Sequence, residues 1–355
     1  MKVLISGICG FTGSSIAKLL IEDSNVSVIG CDNFSRPGSF YNKPILEALG
    51  IQVFHADIRQ QSDIDNLPAA DWLIDAAANP SVLAGVDGVS SSRQLIENNL
   101  YGTVNLLEYC RRHQAGFILI STSRVYSINT LQSLPTSVAN SAYTLETQAD
   151  LPVGVSHNGV SELFSTDPPI SLYGSTKLCS ELLALEYGKT FSLPVWINRC
   201  GVLAGAGQFG RPDQGIFAYW VNAYLRKQPM KYVGYGGLGH QVRDCMHPKD
   251  LCLLLKTQMN CSKKMDNAIY NIGGGNPNAM SLANLTAWCN DRFGKDHHIA
   301  AEMANRTFDV PWLIMDYSLA KQTWNWQPTV SVFSILDEIA IHAEQNPDWL
   351  KVSAK

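Results

Sequence analysis

Tyr173 and Lys177 stand four residues apart in the stretch SLYGSTK, at the start of a segment whose pattern predicts a helix. Residues i and i+4 share one helix face, so phenol and ammonium are neighbours. A free tyrosine ionises near pH ~10 and is a poor base at neutrality. A lysine cation nearby favours the phenolate, and a tuned phenolate can take the proton from a sugar hydroxyl while a hydride leaves its carbon. The same spacing also arises by chance as an exposed surface pair, so its surroundings decide the reading. Upstream, FILISTSRVYS ends an apolar run on Ser121, Thr122 and Ser123. One of these hydroxyls can hydrogen-bond the reacting oxygen if the run is a parallel strand ending at a ligand crevice.

A hydride needs an acceptor, and the start of the chain offers a place for one. LISGICGFTGSSIAKLL sets Gly7, Gly10 and Gly13 between an apolar run and an amphipathic one. Glycine lets the backbone turn sharply and lets a diphosphate approach the amides of a helix N-terminus. Three glycines also suit close helix packing, but a strand before them and a helix after them is what a dinucleotide requires. The second strand ends in VIGCDNFSR, where Asp32 can accept hydrogen bonds from the adenosine ribose hydroxyls. It would repel a 2′-phosphate, which favours NAD over NADP; Arg36 nearby could soften that preference. HADI ends the third strand, where Asp57 and Ile58 can meet the adenine. The alternative for Asp57 is a cap on the helix that follows. An oxidised nicotinamide would place positive charge beside Tyr173, and Lys177 could hold its ribose.

These groups need a framework, and the first half of the chain supplies one. KVLIS, VSVIGCD, QVFHADI, DWLIDAAA and GFILISTS alternate with amphipathic stretches such as SSIAKLLIED and SSRQLIENNLYGTVNLLEYCRRH. Strand-helix alternation with nearly all-apolar strands predicts a parallel sheet covered on both faces. The expected fold is α/β: a Rossmann-type doubly wound parallel sheet over residues 1–200, with a returning segment near 236–272. A smaller mixed α/β domain, mainly 201–355, would bind the substrate. Residues 125–171 lose periodicity and read as a long insertion of the lid or binding-loop kind. The 355 residues, 46% of them hydrophobic, suffice for one large domain or two moderate ones. A net charge of −4 without clusters leaves no footprint for nucleic acid or an anionic membrane. No apolar run reaches membrane-spanning length, and MKVLISG lacks the pattern of a signal peptide. Nine cysteines without a C-x-x-C pair read as reduced cytosolic thiols, and His297-His298 as a solvated loop, so no metal is expected. Trp220, Trp324 and Trp326 read as core.

In order along the chain, the glycine loop, CDNFSR, HADI, ENNLYGTVNLLE, STSRVY, YGSTK, GLGHQVRDCMHPKDL and YNIGG resemble the extended short-chain dehydrogenase/reductases. These are the nucleotide-sugar epimerases and dehydratases. The resemblance implies Tyr173 as base and acid, Lys177 as its modulator and Thr122 as the catalytic hydroxyl. It implies that Phe11, Thr12, Asn33, Ala76, Ala77, Ala78, Asn99 and Cys200 join the glycine loop, Asp32, Arg36, Asp57 and Ile58 around NAD. Asn79, Ser123, Arg124, Gln214, Arg243, Arg306 and Asp309 would meet the substrate, the arginines forming a diphosphate clamp; each arginine alone reads as well as an ion pair between subdomains. Dehydratases of this family follow the threonine with an Asp-Glu pair that eliminates water. Ser123 and Arg124 stand there instead, which favours epimerisation, because elimination needs a general acid. GRPDQG at 210–215 and the long insertion most resemble members that epimerise a CDP-deoxyhexose at C2. Val202, Ala204 and Ser127 depart from the usual pattern, so the sugar pocket is not a standard one. A 4-epimerase, a net dehydrogenase or reductase, and a silent NAD(H)-binding sensor or scaffold are the alternatives. The helices of ENNLYGTVNLLE and YGSTK resemble a pair that packs across a dimer axis, implying a homodimer or homotetramer.

Overall fold

The computed structural model describes residues 1–86, 88, 90–261, 268–294 and 296–354. Seven strands form the central sheet: β1 (Lys2–Ser6), β2 (Ser27–Asp32), β3 (Gln52–His55), β4 (Trp72–Asp75), β5 (Gly116–Thr122), β6 (Val195–Cys200) and β7 (Ile269–Ile272). Their order is β7-β6-β5-β4-β1-β2-β3, and every neighbouring pair is parallel. Successive residues of a strand point to opposite faces. Val3 and Ile5 accordingly enter one apolar core, and Leu4 the other. Helix α1 (Phe11–Leu20) and the helix Pro248–Met259 cover the first face; α2 (Gly102–His113) and α3 (Ser171–Phe191) cover the second. The chain reverses at β1, between β2 and β4, and a crevice opens there at the carboxyl ends of the strands.

Two local features place the site. The helix leading into α2 contains a π turn at Glu97–Tyr101, a distortion that frees backbone carbonyls for other partners. Here the Asn99 carbonyl accepts from Thr103 and from Ser180 of α3, at 2.9 and 3.2 Å. Helix α3 occupies the residues its pattern predicts and begins at Ser171, whose hydroxyl accepts from the Gly174 amide at 3.1 Å.

Beyond β6 a second sheet is built on Val242–Met246. It pairs in parallel with Val202–Leu203 and Trp312–Leu313, and antiparallel with Ala279–Ser281. Its core joins Phe217, Val221 and Tyr224 of the helix Ile216–Leu225 to Ile335, Leu336 and Ile339 of the helix Val332–Gln345. The insertion is less irregular than its composition implies. It holds a short helix, Ile128–Gln132, and two hairpins, Thr136–Ala139 with Ala142–Leu145 and Val155–Ser156 with Gly159–Val160. Val160 bonds to Ile314 and Tyr143 to His240, so the insertion is docked on the second sheet.

Candidate active site

The turn after β1 is shaped for a close-lying diphosphate. Gly7 has φ +63°, and a Cβ there would sit 2.8 Å from the Ala77 Cα. A Cβ on Gly13 would lie 2.3 Å from the Gly7 carbonyl oxygen. Both glycines are therefore required by backbone-to-backbone contacts, one because the β4 end passes across the loop and one because α1 packs into it. Gly10 is the N-cap of α1 and supplies no side-chain acceptor, which leaves the first-turn amides beside Phe11 and Thr12 open to an anion. The Ala77 amide donates to Ser6, and Ala76 contacts the glycine turn at its carbonyl. Small residues at 76–78 thus keep this wall low.

Asp32 ends β2 as expected. One carboxylate oxygen accepts from the Cys9 amide at 2.9 Å and the other from the Phe34 amide at 2.7 Å. Burial pushes this carboxyl upward, and the amides of Phe34 and Cys9 oppose the rise. Each oxygen keeps acceptor capacity for a ribose hydroxyl. These features fit the adenosine and diphosphate of NAD.

Three neighbours expected near the adenosine also have partners within the protein. Asp57 does not cap a helix: the following helix is capped at Gln60, while Asp57 pairs with Arg59 at 2.5 Å and accepts from Asn33 at 3.2 Å. Desolvation raises its carboxyl, but the Arg59 hydrogen bonds outweigh it and hold the group down at about 2. Arg36 reaches across to the second lobe and donates to the Phe209 carbonyl at 2.7 Å. Ile58 fills the space opposite Gly102, where a Cβ would come within 2.4 Å of it.

At the other end of the crevice the structure chooses among the three hydroxyls that close β5. Ser121 donates to Glu181 at 2.5 Å, on the α3 side. Thr122 points the other way and shares a hydrogen bond with Tyr173. Ser123 is buried in the turn that follows. Tyr173 is 7% exposed. Burial pushes its phenol up to about 12, opposed by the Thr122 hydrogen bond and the Arg124 charge. Lys177 is buried and donates to the Ile120 carbonyl at 3.0 Å. Desolvation lowers its ammonium, and Asp75 and Glu181 work against that. Lys177 was the expected electrostatic neighbour of Tyr173, and the structure adds the charge of Arg124. Cys200 is a buried thiol beside Lys177, raised by desolvation to about 12.

Asn99, expected near the cofactor, acts in the structure as a fastener. Its amide oxygen accepts from the Asn79 N–H at 2.8 Å, and its nitrogen donates to the Asn79 carbonyl at 3.0 Å and to Thr176 at 3.2 Å. It ties the loop after β4 to the helix carrying Tyr173. Sequence reasoning missed the group beneath: Arg199 grips Glu181 through Nε (3.1 Å to each oxygen) and Nη2 (2.7 Å). Tyr126 bridges Arg199 to Asn271, at 3.3 and 2.6 Å. The available signal was spacing, since Tyr173, Lys177 and Glu181 repeat every four residues along one face.

A cavity of about 510 Å³ opens on the second lobe and carries five of the residues expected at the substrate: Arg124, Gln214, Arg243, Arg306 and Asp309. Asp309 is the partner of Arg243, at 2.8 Å, and accepts from Gln241 at 3.2 Å. A carboxylate there would repel a diphosphate while it aims the guanidinium. Arg306 donates to the Pro212 carbonyl at 2.8 Å, beside Gln214. Asn79 and Ser123 lie outside the cavity lining. Val202 lines it, and Ala204 is buried in the second core, so the two departures from the usual pattern are filled with apolar contact. Trp220 lines the cavity although it is core, stacked on Tyr232 and bonded to Thr286. Trp326 donates to the Asp250 carbonyl, and Trp324 packs edge-on against Trp196. Among the described residues no cluster of His, Cys, Asp and Glu could hold a metal, and no helix is long and apolar enough to cross a membrane.

Known proteins are similar to this chain along most of its length. The NAD dependent epimerase/dehydratase family matches residues 3–273. CDP-paratose 2-epimerase of Salmonella typhi is 30% identical over 344 residues, covering 93% of this chain and 96% of the relative. dTDP-glucose 4,6-dehydratase of Salmonella typhimurium is 25% identical and covers 88% of each chain. Among solved structures, the UDP-glucuronic acid 4-epimerase of Bacillus cereus, in complex with UDP-glucuronic acid and NAD, superposes with a TM-score of 0.76. It is 25% identical, covering 97% of this chain and 99% of that one. With its family match covering residues 3–273, this chain belongs to the NAD-dependent epimerase/dehydratase family, and its cofactor is NAD.

Proposed function

We propose that the protein is an epimerase of a nucleotide-linked sugar, acting at C2 of a CDP-deoxyhexose, without net redox. The observation that carries this reading is the end of β5. Thr122 lies close enough to the buried Tyr173 to oppose the rise of its phenol, and the next two residues are Ser123 and Arg124, with no carboxylate to expel water. The bound NAD supplies a hydride acceptor that can also return the hydride. Tyr173 takes the proton of the reacting hydroxyl and gives it back to the keto oxygen. Thr122 orients that oxygen, and Lys177, held by the Ile120 carbonyl, has two further N–H donors for the cofactor ribose. Between the two hydride transfers the ketosugar turns over, and the cavity on the second lobe, which reaches Arg124 in its wall, leaves room for the nucleotide-linked part of the substrate. Arg243, aimed by Asp309, and Arg306 hold the diphosphate through it. The similarity to CDP-paratose 2-epimerase over 93% of the chain supports the choice of sugar. Exposed Tyr101 and Leu182, on the helices beside the site, fit a homodimer.

The test is an NMR assay of the purified protein with CDP-paratose in deuterated buffer, without added NAD. Conversion to the C2 epimer with no deuterium at C2 is the expected result. Deuterium at C2 would replace hydride return by proton abstraction next to a carbonyl. No conversion, with NAD released on denaturation, would remove this sugar from the proposal.

A further inference from the structure

We propose that Arg124 carries the substrate's sugar-linked phosphate up against Tyr173, and that this contact selects the carbon next to the anomeric centre for reaction. The inference rests on the reading of the site as a nucleotide-sugar epimerase and adds the residue that chooses the carbon.

Arg124 is built into both halves of the catalytic pair. Its amide donates to the Thr122 hydroxyl oxygen at 3.2 Å. Its carbonyl lies against Gly174, the residue after Tyr173, so closely that a Cβ there would come within 2.2 Å of it. The backbone at Arg124 therefore cannot move independently of Thr122 or Tyr173. The guanidinium then extends into the wall of the substrate cavity. Among the described residues its one side-chain hydrogen bond is from Nη1 to the Phe308 carbonyl, at 3.2 Å. Among the described residues it makes no ion pair, whereas the neighbouring Arg243 is matched by Asp309 at 2.8 Å.

Two guanidiniums brought together out of water repel each other; burial and Arg243, opposed by Asp309 and Tyr173, lower Arg124 to about 10, which still leaves it cationic at neutral pH, and the one Asp309 carboxylate is bonded to Arg243. An arrangement of this kind is completed by an anion. A diphosphate supplies one, and the planar guanidinium matches its oxygens two at a time.

The chemistry of the sugar makes the position matter. The diphosphate is attached at C1, C2 is bonded to C1, and C4 lies across the ring. A cation beside the phenol that also holds the phosphate draws C1 towards Tyr173, which presents the C2 hydroxyl. A 4-epimerase would need the opposite, with the phosphate held far from the tyrosine.

The experiment compares nucleotide binding to the NAD-loaded protein by calorimetry, using CDP and CMP as probes, with UDP and UMP in parallel. Arg124→Gln is expected to weaken CDP at least tenfold while CMP changes less than twofold, and Arg124→Lys to recover most of the loss. Retained NAD and an unchanged circular dichroism spectrum show that the variants are folded. CDP weakened no more than CMP would overturn the phosphate contact, including the case in which the arginine reads a sugar carboxylate instead. The binding comparison needs no turnover, so it judges Arg124 even if CDP-paratose is not the substrate. Epimerisation at C4 by the unaltered protein would overturn the selection of the carbon while leaving the binding result to stand by itself.

Discussion

Glutamine in place of Glu181 would preserve the side chain's shape and remove the carboxylate that Arg199 grips. The pair is buried, with side-chain exposures of 6% for Arg199 and 1% for Glu181. After Glu181→Gln, the guanidinium keeps Tyr126 as a hydrogen-bond partner at 3.3 Å and that ring's face, 5.2 Å from its centroid, but no bonded anion. Losing one member of a buried pair costs about 3–5 kcal/mol, because the other charge is left desolvated. Arg199→Met should cost a similar amount, since the carboxylate would keep only Ser121 as a hydrogen-bond partner. The double variant removes both charges and should be more stable than either single, because replacing a whole buried pair is often nearly neutral. The assay is urea unfolding of the NAD-loaded protein, with the cycle closed by all four proteins. A double-variant loss equal to the sum of the singles within about 0.5 kcal/mol would refute the reasoning, as independent sites add to that accuracy. Turnover is a second readout: Glu181 helps keep Lys177 charged, so Glu181→Gln should also lower the rate.

Four further outcomes are expected. Tyr173→Phe should reduce turnover by about 10²–10⁴-fold while the purified protein still releases NAD on denaturation; loss of NAD would instead make the phenol a structural prop. Gly13→Ala should yield protein with little bound NAD, because its Cβ would meet the Gly7 carbonyl at 2.3 Å; full NAD content would show that the loop can give way. The Tyr173 phenol is raised by burial and opposed by Thr122 and Arg124, so the rate should rise with pH and Arg124→Gln should move that rise to higher pH; an unmoved profile would remove Arg124 from the tuning of the base. Burial holds the Asp244 carboxyl at about 6 against an ordinary 3.8, so the folded state carries the extra proton between those values and Asp244 costs stability as pH rises through that window. The stability difference between Asp244→Asn and the unaltered protein should therefore grow from pH 4 to pH 6.5, and a flat difference would contradict the burial argument.

The local parts of the site were legible in the chain because their geometry is local. Glycine positions between a strand and a helix, an acid at the next strand end, and a tyrosine and lysine one helical turn apart all follow from backbone periods. Helix α3 spans the residues its pattern marks out. The insertion was harder to read, since its short hairpins are held by contacts such as Val160 to Ile314, far along the chain. Of the three hydroxyls ending β5, alternation separates Thr122 from its neighbours, but only the position of α3 shows which face holds the phenol.

The amino-acid sequence by itself determined the layered α/β plan, the glycine turn between strand and helix, and the tyrosine and lysine one helical turn apart, because each depends on residue type and on spacing over a turn or a strand. Only the tertiary structure decided which charges meet: Asp57 with Arg59, Arg36 with the Phe209 carbonyl, Asp309 with Arg243, Glu181 with Arg199, and Arg124 with the Phe308 carbonyl. Long side chains choose partners by the distance and exclusion of water between packed elements. Those quantities do not exist until the sheets and helices close around them.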